Sequence, residues 1–177
     1  MAVELEFPSM KHEDMMKAYQ QETYANGENY INGDGGCHKY DNYSQWLEKA
    51  KDSHLGKNLD EGYVPATTYF LVDNNKVLGT INIRHYLNEY LLNYGGHIGY
   101  SVAPSERRKG YATYMLQEGL KICHQLGINR VLVTCKKGNI ASMSTIKKCG
   151  GKLENEYYDE NEKQTYLRFW IGEENND

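Results

Sequence analysis

Residues 97–135 read as strand, helix, strand, and that order constrains the fold more than any other feature of this 177-residue chain. The run His97-Ile98-Gly99-Tyr100-Ser101-Val102 has the content of a short strand. From Gly110 to Leu126 apolar or small residues recur at Ala112, Leu116, Leu120 and Cys123, with Met115, Ile122 and Leu126 beside them. That is a helical stripe, and Gly127 closes it. Arg130-Val131-Leu132-Val133-Thr134-Cys135 is then almost continuously apolar, as expected of a strand covered on both faces. Such a passage returns the chain parallel to itself by a right-handed crossover, which excludes helical bundles and β-sandwiches.

The flanking segments extend this unit. Val3 to Phe7 alternates as a strand and ends at Pro8, and Ser9 can cap a helix from Met10 to about Tyr24 with Glu13 and Asp14 near its positive end. Residues 26–40 dissolve into Asn, Asp, Tyr and glycines (Gly27, Gly33, Gly35, Gly36), a loop long enough for either a lid or a surface excursion. A second helix starts at Asp41 or Ser44 and carries Trp46, Leu47 and Ala50. Ala66–Val72 and Lys76–Leu87 form a hairpin around Asp73-Asn74-Asn75, and Asn88 to Gly96 is a turn. Asn139 caps a short helix that stops at Gly150-Gly151. Lys152–Tyr158 and Thr165–Ile171 make a last strand pair around Asp159 to Lys163, and the tail Glu173–Asp177 is expected to fray. The order β-α-α-β-β-β-α-β-α-β-β predicts one domain over residues 1–177. Its class is α/β (α+β mixed), with a twisted, mostly antiparallel sheet of about seven strands flanked by about four helices.

Composition narrows the function classes. Twenty basic against 24 acidic residues give a net charge of −4, so no global basic field favours nucleic acid or an anionic membrane. No run approaches the roughly 18 apolar residues a membrane span needs, and Met-Ala-Val-Glu-Leu-Glu-Phe lacks the basic and apolar regions of a secretory signal. Cys37, Cys123, Cys135 and Cys149 lie far apart, so they read as reduced thiols of a cytoplasmic protein. The six histidines lack the short paired spacing of a zinc site, and no metal is expected. Sixteen tyrosines against three phenylalanines suit a core and rim of amphipathic rings, or a tyrosine-lined pocket.

The chemistry concentrates in Ser101-Val102-Ala103-Pro104-Ser105-Glu106-Arg107-Arg108-Lys109-Gly110-Tyr111-Ala112-Thr113. Three cations precede a glycine that opens a helix, whose first N–H groups lack partners and carry partial positive charge. Phosphate suits that position, and Gly110 lets a ligand reach the backbone. Alone, Arg-Arg-Lys before a helix is equally the composition of a solvated turn.

Two motifs in this order resemble the GNAT superfamily of acyl-CoA-dependent N-acetyltransferases. The signature Arg/Gln-x-x-Gly-x-Gly/Ala stands here as Arg107-Arg108-Lys109-Gly110-Tyr111-Ala112, after a strand ending Val102-Ala103-Pro104. A second element, Asn-x-x-Ser/Ala before a helix and a glycine pair, stands as Asn139-Ile140-Ala141-Ser142 through Cys149-Gly150-Gly151. The phrase from Gly96 to Val102 also looks like the fourth strand of bacterial members. The resemblance implies a cofactor-binding core over residues 66–171, acetyl-CoA as co-substrate in the splay between the fourth and fifth strands, and acceptor-side elements within residues 1–65. It implies pyrophosphate binding by backbone amides at Arg108, Lys109, Gly110, Tyr111, Ala112 and Thr113, with charge from Arg107 and Arg108. The pantetheine arm would run along Ser101, Val102 and Ala103 like an added strand. Asn139 and Ser142 would face the thiol end or the pantetheine, and Lys147 or Lys148 the 3′-phosphate.

Acetylation of an amine with a pKa near 10.4 profits from a base, an oxyanion donor and an acid for the departing thiolate. A backbone N–H near Val102 suits the oxyanion. His97 is the expected base, standing where several relatives have an acidic residue, with His85 and Glu89 as alternatives. Many relatives place a tyrosine four residues after the second motif's Ser/Ala. Here that residue is Ile146, so either another tyrosine substitutes, Tyr157 with Tyr111 and Tyr158 as alternatives, or the thiolate leaves unassisted. The expected function is acetyl transfer to a primary amine of a small molecule or peptide, with no nucleic-acid or membrane partner and a homodimer compatible with a free sheet edge. Asp34, Glu28, Tyr24, Tyr30 and Tyr40 could host a cationic amine. A non-catalytic acyl-CoA sensor on the same fold is the competing reading, and an unrelated phosphate-binding protein is a third.

Overall fold

A computed structural model describes residues 3–172 of the chain; the expected frayed tail lies outside the described residues. The elements follow the predicted order: β1 (Val3–Glu6), α1 (Glu13–Ala25), α2 (Tyr43–Leu55), β2 (Ala66–Asp73), β3 (Lys76–Arg84), β4 (Ile98–Val102), α3 (Tyr111–Gln125), β5 (Val131–Lys136), α4 (Ile140–Lys148), β6 (Lys152–Asp159) and β7 (Gln164–Ile171). The helix expected from Met10 is split: Met10–His12 is a 3₁₀ turn, and α1 proper begins at Glu13. His12 interrupts it because its buried ring accepts from the Ser9 N–H at 3.0 Å and meets Glu6 at 3.2 Å. Helix α2 takes Asn42 as its cap, the side chain accepting from the Gln45 N–H. Between β3 and β4, Leu91–Gly95 makes a π-helical turn.

The strands form two sheets, not one continuous sheet of seven: β1-β2-β3-β4 and β5-β7-β6, each antiparallel throughout. Strands β4 and β5 touch only where both begin. There the His97 N–H donates to Leu132 O at 2.7 Å, and the Leu132 N–H donates to His97 Nδ1 at 2.9 Å. Beyond this junction no ladder joins them, and helix α3 of the crossover packs on one face of β3 and β4.

Each face of the first sheet has its own core. Leu71, Ile81, Ile83 and Ile98 pack under α3 with Met115, Leu116 and Cys123, continuous with Val131, Val133, Ile146 and Phe169 of the second sheet. Gly119 is required there, since a Cβ would stand 2.8 Å from the Ile81 side chain. On the opposite face Phe70 and Val72 pack with Met16, Tyr19, Trp46 and Leu47 of α1 and α2. Loop 26–40 belongs to this second layer and is neither idle nor a free lid. Ile31 and Cys37 are buried, the Trp46 indole N–H donates to Gly35 O, and the Thr80 hydroxyl donates to Asn32 O. Gly33 lies so close to β4 that a Cβ would stand 2.5 Å from Gly99 O, and its φ is +78°. All four cysteines are free thiols, and no helix among the described residues is long and apolar enough to cross a membrane.

Candidate active site

The junction at His97 decides where the chain is open. The Ala103 N–H donates across to Leu78 O on β3, whereas Val102 O turns away from the sheet and accepts from Arg107 Nε at 3.0 Å. Backbone groups alternate edges along a strand, so Tyr100 and Val102 present theirs to the widening gap toward β5. An extended amide-bearing chain could pair with that edge.

The turn after β4 lies at the gap's mouth. Pro104–Glu106 forms a 3₁₀ turn, Arg107 is extended, Arg108 is left-handed at φ +64° and Gly110 at +87°. A left-handed arginine is strained backbone of the sort that clusters at functional sites. This alternation makes an N–H-lined concavity suited to anions. No acceptor among the described residues takes the N–H groups of residues 108–113, and a Cβ at Gly110 would meet nothing within 4 Å. The opening of α3 adds its positive end to the same place.

The three cations divide their roles. Arg107 is held internally, its Nη1 and Nη2 forking onto Glu28 at 2.9 and 2.8 Å, which fastens loop 26–40 to β4. Lys109 meets Glu106 at 3.0 Å, and Glu106 also receives Lys76. Arg108 is exposed and has no carboxylate partner among the described residues.

Across the gap, Asn139 caps α4, its Oδ1 accepting from the Ser142 N–H at 3.2 Å. The Ser142 hydroxyl hydrogen-bonds the Tyr100 hydroxyl at 2.9 Å, linking β4 to α4. Burial pushes the Tyr100 phenol up to about 12. Ser101 faces the other way, bonded to Tyr19 at 2.8 Å and Thr80 at 2.9 Å. Ala103 is buried against the α1 layer, and Lys147 is exposed on the last turn of α4.

The two residues expected to move protons stand elsewhere than anticipated. His97 is 5% exposed, and its Nδ1 lone pair already accepts the Leu132 N–H. Burial, with the Arg84 charge behind it, depresses its pKa to about 4. The ring is a neutral bridge with its proton on Nε2 and no free lone pair for an amine's proton. Tyr157 lies on β6, the outer strand of the second sheet, edge-on to Tyr94 at 5.3 Å. Two strand spacings, about 10 Å, separate that backbone from β5. Ile146 is fully buried core.

Of the residues suggested for a cationic amine, Asp34 and Glu28 are engaged. Asp34 is 1% exposed and accepts from the Gly36 and His38 N–H groups and from His38 Nδ1 at 2.8 Å. That contact leaves the His38 Nε2 lone pair without a partner among the described residues. The dyad is written in the sequence as two residues four apart in a loop, but nothing local indicates that they meet. A cavity of about 290 Å³ lined by Phe7, Leu47, His54 and Thr67 lies over β2.

Residues 4–152 match the family model described as the acetyltransferase (GNAT) domain. The chain belongs to the GNAT acetyltransferase family. Solved GNAT-type structures share the fold across nearly all of the chain. RimJ of Mycobacterium smegmatis, in complex with CoA-disulfide, has a TM-score of 0.72 at 17% identity, covering 96% of this chain and 81% of RimJ. The self-immunity acetyltransferase MccE, in complex with acetyl-CoA and AMP, has 0.69 at 17%, covering 97% and 92%. A Salmonella typhimurium acetyltransferase that modifies the N-terminal serine of a 50S ribosomal protein has 0.68 at 17%, covering 98% and 96%. No curated protein sequence matches the chain. Among the described residues no group of three or more His, Cys, Asp or Glu could hold a metal ion.

Proposed function

We propose that the protein is an acetyl-CoA-dependent N-acetyltransferase acting on a primary amine of a small molecule or peptide. The observation that carries this reading is the row of partnerless N–H groups at residues 108–113, beside the open edge of β4. That row fits a diphosphate, and Arg108 adds a charge free to pair with it. Asn139 and Ser142 border the inner end, and Lys147 is within the last turn of α4 for a peripheral phosphate. When bound, acetyl-CoA supplies the acetyl thioester. The Val102 N–H then faces charge developing on the acyl oxygen.

Tyr100 takes the place expected of Tyr157. A phenol near 12 stays protonated while a thiol near 8.5 ionises, so full transfer is uphill and Tyr100 acts by hydrogen-bonding the sulfur as charge builds. For the amine's proton, His38 is arranged as a base in a way His97 is not: Asp34 fixes Nδ1–H, and Nε2 has no partner among the described residues. The sensor reading keeps one argument, the hydrocarbon at Ile146. Incubation with acetyl-CoA and an amine panel, following thiol release, separates the two. Amine-stimulated release lost in Arg108→Glu supports the enzyme; tight acetyl-CoA binding without release on any amine refutes it.

A further inference from the structure

Arg84 ends β3 on the face that loop 26–40 covers. Its neighbours along the strand alternate, with Ile81 and Ile83 in the core under α3 and Thr80 and Asn82 bonded on the loop side. Its guanidinium lies over Gly99 of β4. A Cβ there would stand 3.1 Å from Nη2, 3.2 Å from Nη1 and 3.2 Å from Asn32 Oδ1. Glycine at 99 is thus what lets a cation sit directly on the strand that lines the proposed acetyl site. Among the described residues the guanidinium makes one hydrogen bond, from Nη1 to Gly95 O at 3.2 Å.

This charge is not compensated. No carboxylate among the described residues pairs with Arg84, and burial works against its charged form. The groups that answer it electrostatically are the phenols of Tyr30 and Tyr90, not a carboxylate. The acids of the adjoining loop are turned elsewhere, Glu28 onto Arg107 and Asp34 onto His38. Asp159 and Glu162, at the β6–β7 turn, act on Tyr90 and Tyr166. Desolvating an ion without an opposite charge is unfavourable, so a half-buried guanidinium with no carboxylate partner among the described residues is stabilised by an anion that reaches it. Its planar fork matches a carboxylate better than any neutral acceptor.

Resting on the acetyltransferase reading, we infer that the acceptor carries a carboxylate close to its amine, as a free amino acid does, and that Arg84 holds that carboxylate. The anchoring point, above Gly99, lies on the loop-26–40 face of β4, across the strand from the Tyr100 hydroxyl at the inner end of the cofactor gap. A short amino acid anchored there presents its amine along β4. A peptide N-terminus, with its first carboxyl locked in an amide, leaves Arg84 unpaired.

The test compares free α-amino acids with the matching α-amino-acid amides, measuring kcat/KM from thiol release, alongside acetyl-CoA binding by calorimetry. The wild-type protein is expected to favour the acids by about 30-fold or more, the low end of what losing one partner of a buried charge pair does. Arg84→Gln is expected to collapse that preference through KM for the acids, with acetyl-CoA affinity kept. Amides used as well as acids by the wild type, or an unchanged preference in Arg84→Gln, overturns the inference while leaving the enzyme reading intact. Binding of acetyl-CoA with no turnover on any amine overturns both. If Arg84→Gln does not fold, Arg84→Lys and the wild-type acid-to-amide ratio decide the matter alone.

Discussion

His97 offers the sharpest separation between a proton-transfer role and a structural one, and the perturbation is His97→Asn. An asparagine carbonyl oxygen falls near the place of Nδ1, so it can still accept the Leu132 N–H that joins the two sheets. It cannot titrate. In the folded protein the imidazole pKa is about 4, against 6.5 for the ordinary value. Above pH 6.5 both states hold the ring neutral. Between 6.5 and 4 the unfolded chain takes up a proton that the folded chain refuses, so stability falls as the pH falls through that window. About 2.5 pH units at 1.36 kcal/mol each give roughly 3 kcal/mol lost by pH 4 from this residue. Urea unfolding at pH 7.5, 6, 5 and 4 measures it directly. The wild type should lose about 3 kcal/mol more than His97→Asn over the range, since carboxylate effects are common to both. Equal losses in the two proteins would refute the buried neutral bridge. A folded His97→Asn that had lost the amine-dependent rate and its pH dependence would restore His97 as the base.

Other residues give further tests. Gly110→Val should weaken acetyl-CoA binding at least 10-fold by filling the concavity. Stability should drop only by the roughly 1–3 kcal/mol of a strained left-handed residue, because no protein atom opposes the new side chain. Tyr100→Phe should lower kcat about 10-fold or more with acetyl-CoA affinity little changed, and a wild-type rate would remove the phenol from thiolate stabilisation. Glu28→Gln frees Arg107 from its carboxylate and unfastens loop 26–40, so amide exchange at residues 28–35 should quicken while exchange in α3 stays slow. Asp34→Asn removes the carboxylate that orients His38 and should lower kcat at least 10-fold with acetyl-CoA affinity kept; an unchanged kcat assigns the dyad to loop structure alone.

Local sequence determined a great deal of this protein. Helix α3 was legible because its stripe runs uninterrupted for four turns, and β5 because a strand with two covered faces has no polar alternation to confuse it. The partnerless amides of residues 108–113 were likewise legible, since a helix opening at a glycine leaves them unsatisfied wherever the helix ends up. The division into two sheets was not, because it depends on β4 and β5 meeting at one residue and pairing no further. The same limit applied to individual side chains. Arg107 looked like a ligand for phosphate until Glu28, 79 residues away, arrived to hold it. His97 looked like a base until Leu132, 35 residues away, took its lone pair. Tyr100 gained its chemistry from Ser142, and Arg84 from the glycine on the next strand and the lack of a carboxylate partner among the described residues. Propensity, periodicity and capping act over a few residues and are written in order along the chain. Burial, pairing and charge compensation are set by register and loop path, and only the folded chain brings those partners within reach.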